Sequence, residues 1–162
     1  MTAATTPPAD DALDRIDRRI LRELQADGRI SNADLAKRIN LSAAACHRRV
    51  ARLVEDGYIS RFTALIDPAR VDLGVLVHVG VVLDRSTPES FGNFETSVLE
   101  IAAILECHLV AGDFDYFLKI RARDLDDFNR FHGETLLGLP GVRQTRTFFV
   151  MKDVRSNGDL VI

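Results

Sequence analysis

The sequence predicts an α+β chain in two parts: a three-helix unit first, then one antiparallel sheet with two helices on one face. In residues 13–57 apolar side chains recur at helical spacing in three short runs broken by turn signals, whereas from residue 73 the period falls to two. The charge divides at nearly the same place. Residues 13–66 hold 11 Lys/Arg against 7 Asp/Glu, a net +4, while residues 67–162 hold 10 against 15, a net −5.

The first helix follows from Leu13, Ile16, Ile20 and Leu24, with Leu21 widening the apolar stripe and charged residues on the other face. Asp27-Gly28 ends it. Ser31-Asn32-Ala33-Asp34 supplies a cap and a first-turn carboxylate for a second helix, whose short apolar face is Leu35, Ala36 and Ile39. Asn40 tolerates the left-handed backbone of a tight turn, Leu41 plugs the core and Ser42 caps a third helix. On that helix Cys46, Val50, Leu53 and Val54 share the inner side, with Ala44, Arg48 and Arg52 opposite and His47 and Arg49 on the flanks. Gly57 stops it, and Tyr58–Ile66 has the β-branched and aromatic content of a connecting strand.

In the second half Val75, Val77, Val79, Val81 and Leu83 alternate along a strand. Thr87-Pro88-Glu89 opens a helix with Phe91, Phe94, Val98 and Ile101 inward. Ile104–Ala111 and Phe114–Ala122 are strands around the Gly112-Asp113 turn; Asp124 caps a helix presenting Leu125, Phe128, His132 and Leu136; Val142–Val154 is the last strand. The order β-α-β-β-α-β is the ferredoxin-like arrangement. A single helical layer leaves the other sheet face uncovered, so if that face carries the alternating valines a homodimer through the sheet is expected. The domains are therefore a loose tail (1–12), a helix-turn-helix unit (13–57), a connecting strand and linker (58–72) and the sheet domain (73–162).

Several function classes lack their residues. No apolar run approaches the roughly 18 residues of a membrane span, and the N-terminus has no basic segment followed by an apolar core, so a cytoplasmic protein is expected. Cys46 and Cys107 have no ligand or disulfide spacing and read as small core residues. His47, His78, His108 and His132 form no metal set, and neither a Gly-rich phosphate loop nor Gly-x-Ser-x-Gly occurs; Glu106 and His108 on one strand are weak evidence for acid/base work. No cofactor, metal or catalytic residue is expected.

Two clusters remain. Residues 42–54 contain Arg48, Arg49 and Arg52 and no acidic residue, and small Ala43, Ala44 and Ala45 permit close approach to a groove. The plain alternative is a solvated helix face, but a short helix pair with a cationic second member favours double-stranded DNA. Arg48 and Arg52 are the leading contacts, and Ser42 at the helix N-terminus suits a backbone phosphate. The second cluster, Gly112-Asp113-Phe114-Asp115-Tyr116, is either a hairpin turn, for which Gly and Asp are chosen on conformation alone, or a site for a small ammonium-bearing molecule.

LDRIDRRILRELQADGRISNADLAKRINLS, RVARLVEDGYI, ECHLVAGDFDYFLKIRA, ETLLGLPGV and TRTFFVMKDV, in this order, closely resemble the Lrp/AsnC (feast/famine) family of bacterial and archaeal transcription regulators over about residues 13–162. The resemblance implies a winged-type helix-turn-helix at residues 32–51 and a ferredoxin-like domain that oligomerises and senses an amino acid such as leucine. Ser42, Ala43, Ala44, His47, Arg48, Arg49 and Arg52 then inherit DNA contact. Gly112, Asp113, Asp115 and Tyr116 inherit effector binding near the family's Gly-x-x-Asp loop, with Leu109, Val110, Thr145, Thr147 and Phe149 around them. Dimers assembling further, often to octamers, are implied, as is nucleoid association. Ala43-Ala44-Ala45 departs from the proline and Ser/Thr frequent in relatives, and His47-Arg48 replaces an apolar-acidic pair. An enzyme alternative, a siroheme-type tetrapyrrole decarboxylase subunit, shares the architecture; an effector-independent nucleoid organiser is a third reading.

Overall fold

The computed structural model describes residues 13–162, so the tail expected at residues 1–12 lies outside the described part. The described chain divides into two compact units, one of residues 13–65 joined by 155–162, the other of residues 66–154.

In the first unit, α1 (Arg15–Ala26) begins at a capping box: Asp14 accepts from the Asp17 backbone N–H at 2.8 Å, and Asp17 accepts from that of Asp14 at 3.4 Å. Ser31 caps α2 (Asn32–Ile39), which ends on Asn40 in the left-handed conformation (φ 58°, ψ 48°). That residue reverses the chain into Ser42, the cap of α3 (Ala43–Glu55). The core is Ile20, Leu21, Leu35, Ala36, Ile39, Cys46 and Leu53. Val54, expected inward, is 44% exposed, because Cys46, Val50 and Leu53 already fill the contact with α1 and α2. Ile162 packs on the rim of this core, and the Gln25 side-chain amide is bonded to the backbone of Leu160 in both directions, at 3.1 and 2.8 Å.

The expected strand Tyr58–Ile66 does not form. The segment enters no ladder, and Phe62, Leu65 and Ile66 stand 55–74% exposed. Strand propensity expresses a side chain's fit to a neighbouring strand, and this chain offers the segment none.

In the second unit, β1 (Val75–Leu83), α4 (Pro88–Leu99), β2 (Ile104–Leu109), β3 (Tyr116–Ala122), α5 (Leu125–Glu134) and β4 (Val142–Phe149) follow in the expected order. The sheet order is β2-β3-β1-β4, every neighbouring pair antiparallel. The last strand is shorter than expected, stopping at Phe149.

Val77, Val79, Val81 and Leu83 form one core with Phe94 and Val98 of α4, Phe128 of α5 and Leu136 just beyond it. The valines therefore face the helices, and the uncovered face is built of other residues. Leu125, expected inward, sits at the first position of α5 and is 54% exposed. On the uncovered face His78 stacks on Phe117 with centroids 5.4 Å apart, Phe148 and Phe114 complete an aromatic cluster at 6.1–6.2 Å, and Arg146 lies 5.7 Å over the Phe114 ring. A Cβ on Gly80 would fall 2.5 Å from that ring, so glycine lets the Phe114 ring pack directly against the backbone of β1.

Candidate nucleic-acid interface and ligand loop

The outer side of α3 is set by its cap and by α1. The Ser42 hydroxyl accepts from the Ala45 backbone N–H at 3.2 Å, leaving Ala43 and Ala44 exposed on the first turn. The His47 ring lies 3.1 Å from the Asn32 side-chain amide of α2, which orients it. Arg48 is exposed and forms no hydrogen bond or ion pair among the described residues.

Its two neighbours differ. The Arg49 guanidinium donates to Asp14 at 2.7 Å and to Asp17 at 2.8 Å, and Arg52 donates to the other oxygen of Asp17 at 2.5 Å, with Asp56 3.8 Å away. Asp17 is 1% exposed, the only buried charged residue among those described. The Asp17 and Asp14 carboxylates raise the pKa of Arg49 further, and the backbone amide of Asp17 with the Arg49 guanidinium lowers that of Asp14. Arg52 was expected to project straight away from the core. Its backbone does, but the long side chain folds back to α1. The signal lay in the sequence as matched spacings, Asp14/Asp17 and Arg49/Arg52, each one helical turn apart.

The second cluster resolves into structural and free members. Asp115 ties the hairpin to β1: its carboxylate accepts from the Leu83 N–H at 2.8 Å, its N–H donates to the Val81 carbonyl at 2.9 Å, and its carbonyl accepts from Val110 N–H at 2.9 Å. Tyr116 is 1% exposed, its ring centroid 4.5 Å from that of Phe94 and its hydroxyl donating to Glu95 at 2.8 Å. Burial and then that hydrogen bond push the phenol well above its ordinary range. Gly112 (φ 148°) and Asp113 are exposed, as are Leu109 and Val110.

Thr145, Thr147 and Phe149 lie on the helix side of β4, paired with Val81, Val79 and Val77. Thr145 flanks Val81 opposite Tyr116, so the two are about two strand spacings, roughly 9.5 Å, apart. Thr145 is within 2.9 Å of the His132 ring, and Phe149 packs edge-on against Phe128 at 5.3 Å. Four residues of strand, about 13 Å, separate Phe149 from Thr145, so the loop cluster and Thr145 are neighbours and Phe149 is not. Glu106 is paired with Lys119 at 2.7 Å, which lowers its pKa and keeps it ionised. No group of three or more His, Cys, Asp or Glu able to hold a metal occurs among the described residues.

Residues 13–60 match the winged helix-turn-helix DNA-binding family, and residues 76–160 match the Lrp/AsnC ligand binding domain. The chain is 51% identical over 150 residues to the leucine-responsive regulatory proteins of Escherichia coli K12 and Shigella flexneri, covering 93% of this chain and 92% of theirs. Among solved structures, the transcriptional regulator NMB0573 of Neisseria meningitidis, in complex with L-Met, superposes with a TM-score of 0.88 at 32% identity, covering 93% of this chain and 97% of that one. An AsnC family regulator from Agrobacterium tumefaciens gives 0.86 at 33% identity over 91% and 96% of the two chains. An N-terminal helix-turn-helix joined to this four-stranded sheet domain, matched along nearly its whole length, makes the chain a member of the Lrp/AsnC family of transcription regulators and not an enzyme.

Proposed function

We propose that α3 is the recognition helix for double-stranded DNA and that the β2-β3 loop takes an amino-acid effector, leucine first. Arg48, exposed and unpaired among the described residues, carries the first half of this reading: it is a cation held on the outer side of a capped helix with no competing carboxylate among those residues. Ser42, Ala43, Ala44 and His47 share the exposed N-terminal half of that helix, where the helix dipole favours a phosphate. In the loop, Asp113 offers an exposed carboxylate, unpaired among the described residues, for an ammonium group, the backbone around Gly112 is open, and Leu109 and Val110 provide an exposed apolar side. Asp115 and Tyr116 shape this site from beneath, and Thr145 stands at its margin.

The relatives carry leucine in their name, and one neighbour was solved with L-Met, which supports an apolar amino acid. The aromatic sheet face, with Phe148 46% exposed, suits a second copy of the chain. The reading extends to homodimers assembling to octamers in the cytoplasm on chromosomal DNA. A thermal-shift panel of the twenty amino acids tests the effector half. Leucine or a close analogue is expected to raise the apparent stability, with Asp113→Ala abolishing the shift; no shift from any amino acid overturns it.

A further inference from the structure

The three arginines of α3 are not equivalent. Arg49 and Arg52 are bound to Asp14 and Asp17 on the first turn of α1, and Asp17 is almost wholly buried. Each oxygen of the Asp17 carboxylate takes one guanidinium, so the two arginines together compensate its burial. For either to reach a DNA phosphate it must abandon a desolvated carboxylate, whereas Arg48 moves to phosphate from water. The interaction with Asp14 is weaker, since that side chain is 47% exposed and screened.

We infer that Asp17, assisted by Asp14, is a specificity-determining residue that withholds Arg49 and Arg52 from the DNA backbone and leaves Arg48 as the free cation of the recognition helix. The consequence is limited affinity for DNA of any sequence. Phosphate contacts supply nearly all non-specific binding, and each adds about 0.9 to the slope of log K against log salt. A helix with three free arginines would hold the protein on random DNA; a helix with one leaves more of the affinity to base contacts.

This rests on α3 contacting DNA, and the experiment separates the two claims. The full chain and its variants are titrated against a fluorescent random-sequence duplex across a range of KCl, and salt slopes are compared per bound subunit, with folding followed by circular dichroism. Arg48→Gln is expected to lower the slope by about one; no change overturns α3 as the contact helix. Arg52→Gln is expected to leave the slope unchanged, and a fall of about one overturns the withholding. Asp17→Asn is expected to steepen the slope by one to two phosphates, about 0.9 to 1.8, and to tighten random-DNA binding severalfold at low salt. An unchanged or shallower slope in folded Asp17→Asn overturns the proposal. Should that variant not fold, Arg49→Gln decides: Arg49 is held by Asp17, so an unchanged slope is expected, and a fall of about one overturns the proposal.

Discussion

At the scale of single residues, side chains of similar type divide into those that shape the fold and those left for a ligand. Arg48→Ala is expected to weaken DNA binding and flatten its salt dependence by about one phosphate per subunit, read by anisotropy against salt. Tyr116 is a structural residue despite lying beside the loop. Tyr116→Phe loses its bond to Glu95 and is expected to cost about 1 kcal/mol by urea denaturation, since exposed Glu95 is then solvated by water. Burial, followed by the nearby Glu95 carboxylate, pushes the Cys107 thiol up to about 11. At pH 8 only about one molecule in a thousand is then thiolate, so iodoacetamide is expected to label Cys107 slowly in the folded protein and quickly once it is denatured. Rapid labelling of the native state would contradict its place against the core. The sequence read Arg52 as projecting straight outward because a helical wheel fixes the direction of the Cβ, not where the six further non-hydrogen atoms of the side chain end. The same limit applied at Tyr116, where a polar tip concealed a core ring.

At the scale of elements, four of the helices were readable from their caps: Ser31, Ser42, Thr87 and Asp124 each accept from the backbone N–H three residues on, as Asp14 does at the start of α1, where the sequence showed only a charged face. These are local interactions, complete within four residues, and the chain states them outright. Strands depend on a partner. Tyr58–Ile66 has strand composition and no ladder, and the alternation of Val77, Val79 and Val81 revealed a buried face without saying that the helices cover it. Leu118 on β3 is fully buried in that core, so Leu118→Ala is expected to cost about 2–5 kcal/mol, measured by urea denaturation. The start of α5 is tuned by charge. The Arg123 side chain and backbone hold the Asp127 carboxyl near 2, below its ordinary 3.8. A lowered folded pKa means that this contribution is full above about pH 4 and is lost as the pH falls through about 2. Asp127→Asn is therefore expected to flatten the acid limb of stability between those values, and a limb identical to that of the parent would contradict the pairing.

At the scale of the whole molecule, the positive unit carries the helix-turn-helix and the negative unit the sheet, a division already visible in the charges of the two halves. Each unit has its own core, and the C-terminal residues 155–162 belong with the first, held by Gln25 and Ile162. Nothing in the local sequence pattern indicated that return, since the pairing spans 135 positions. The proposed function would connect the two units: a ligand at the loop would change DNA binding only as far as it prefers one state of the assembly. The most direct measurement follows the anisotropy of a labelled duplex, taken from the DNA flanking the protein's own coding sequence, as protein is added with and without saturating L-leucine. The account predicts binding tighter than to random duplex and a half-saturation point moved about fivefold or more by leucine or a close apolar analogue. Curves that superimpose for all twenty amino acids, or binding no tighter than to random DNA, would contradict it.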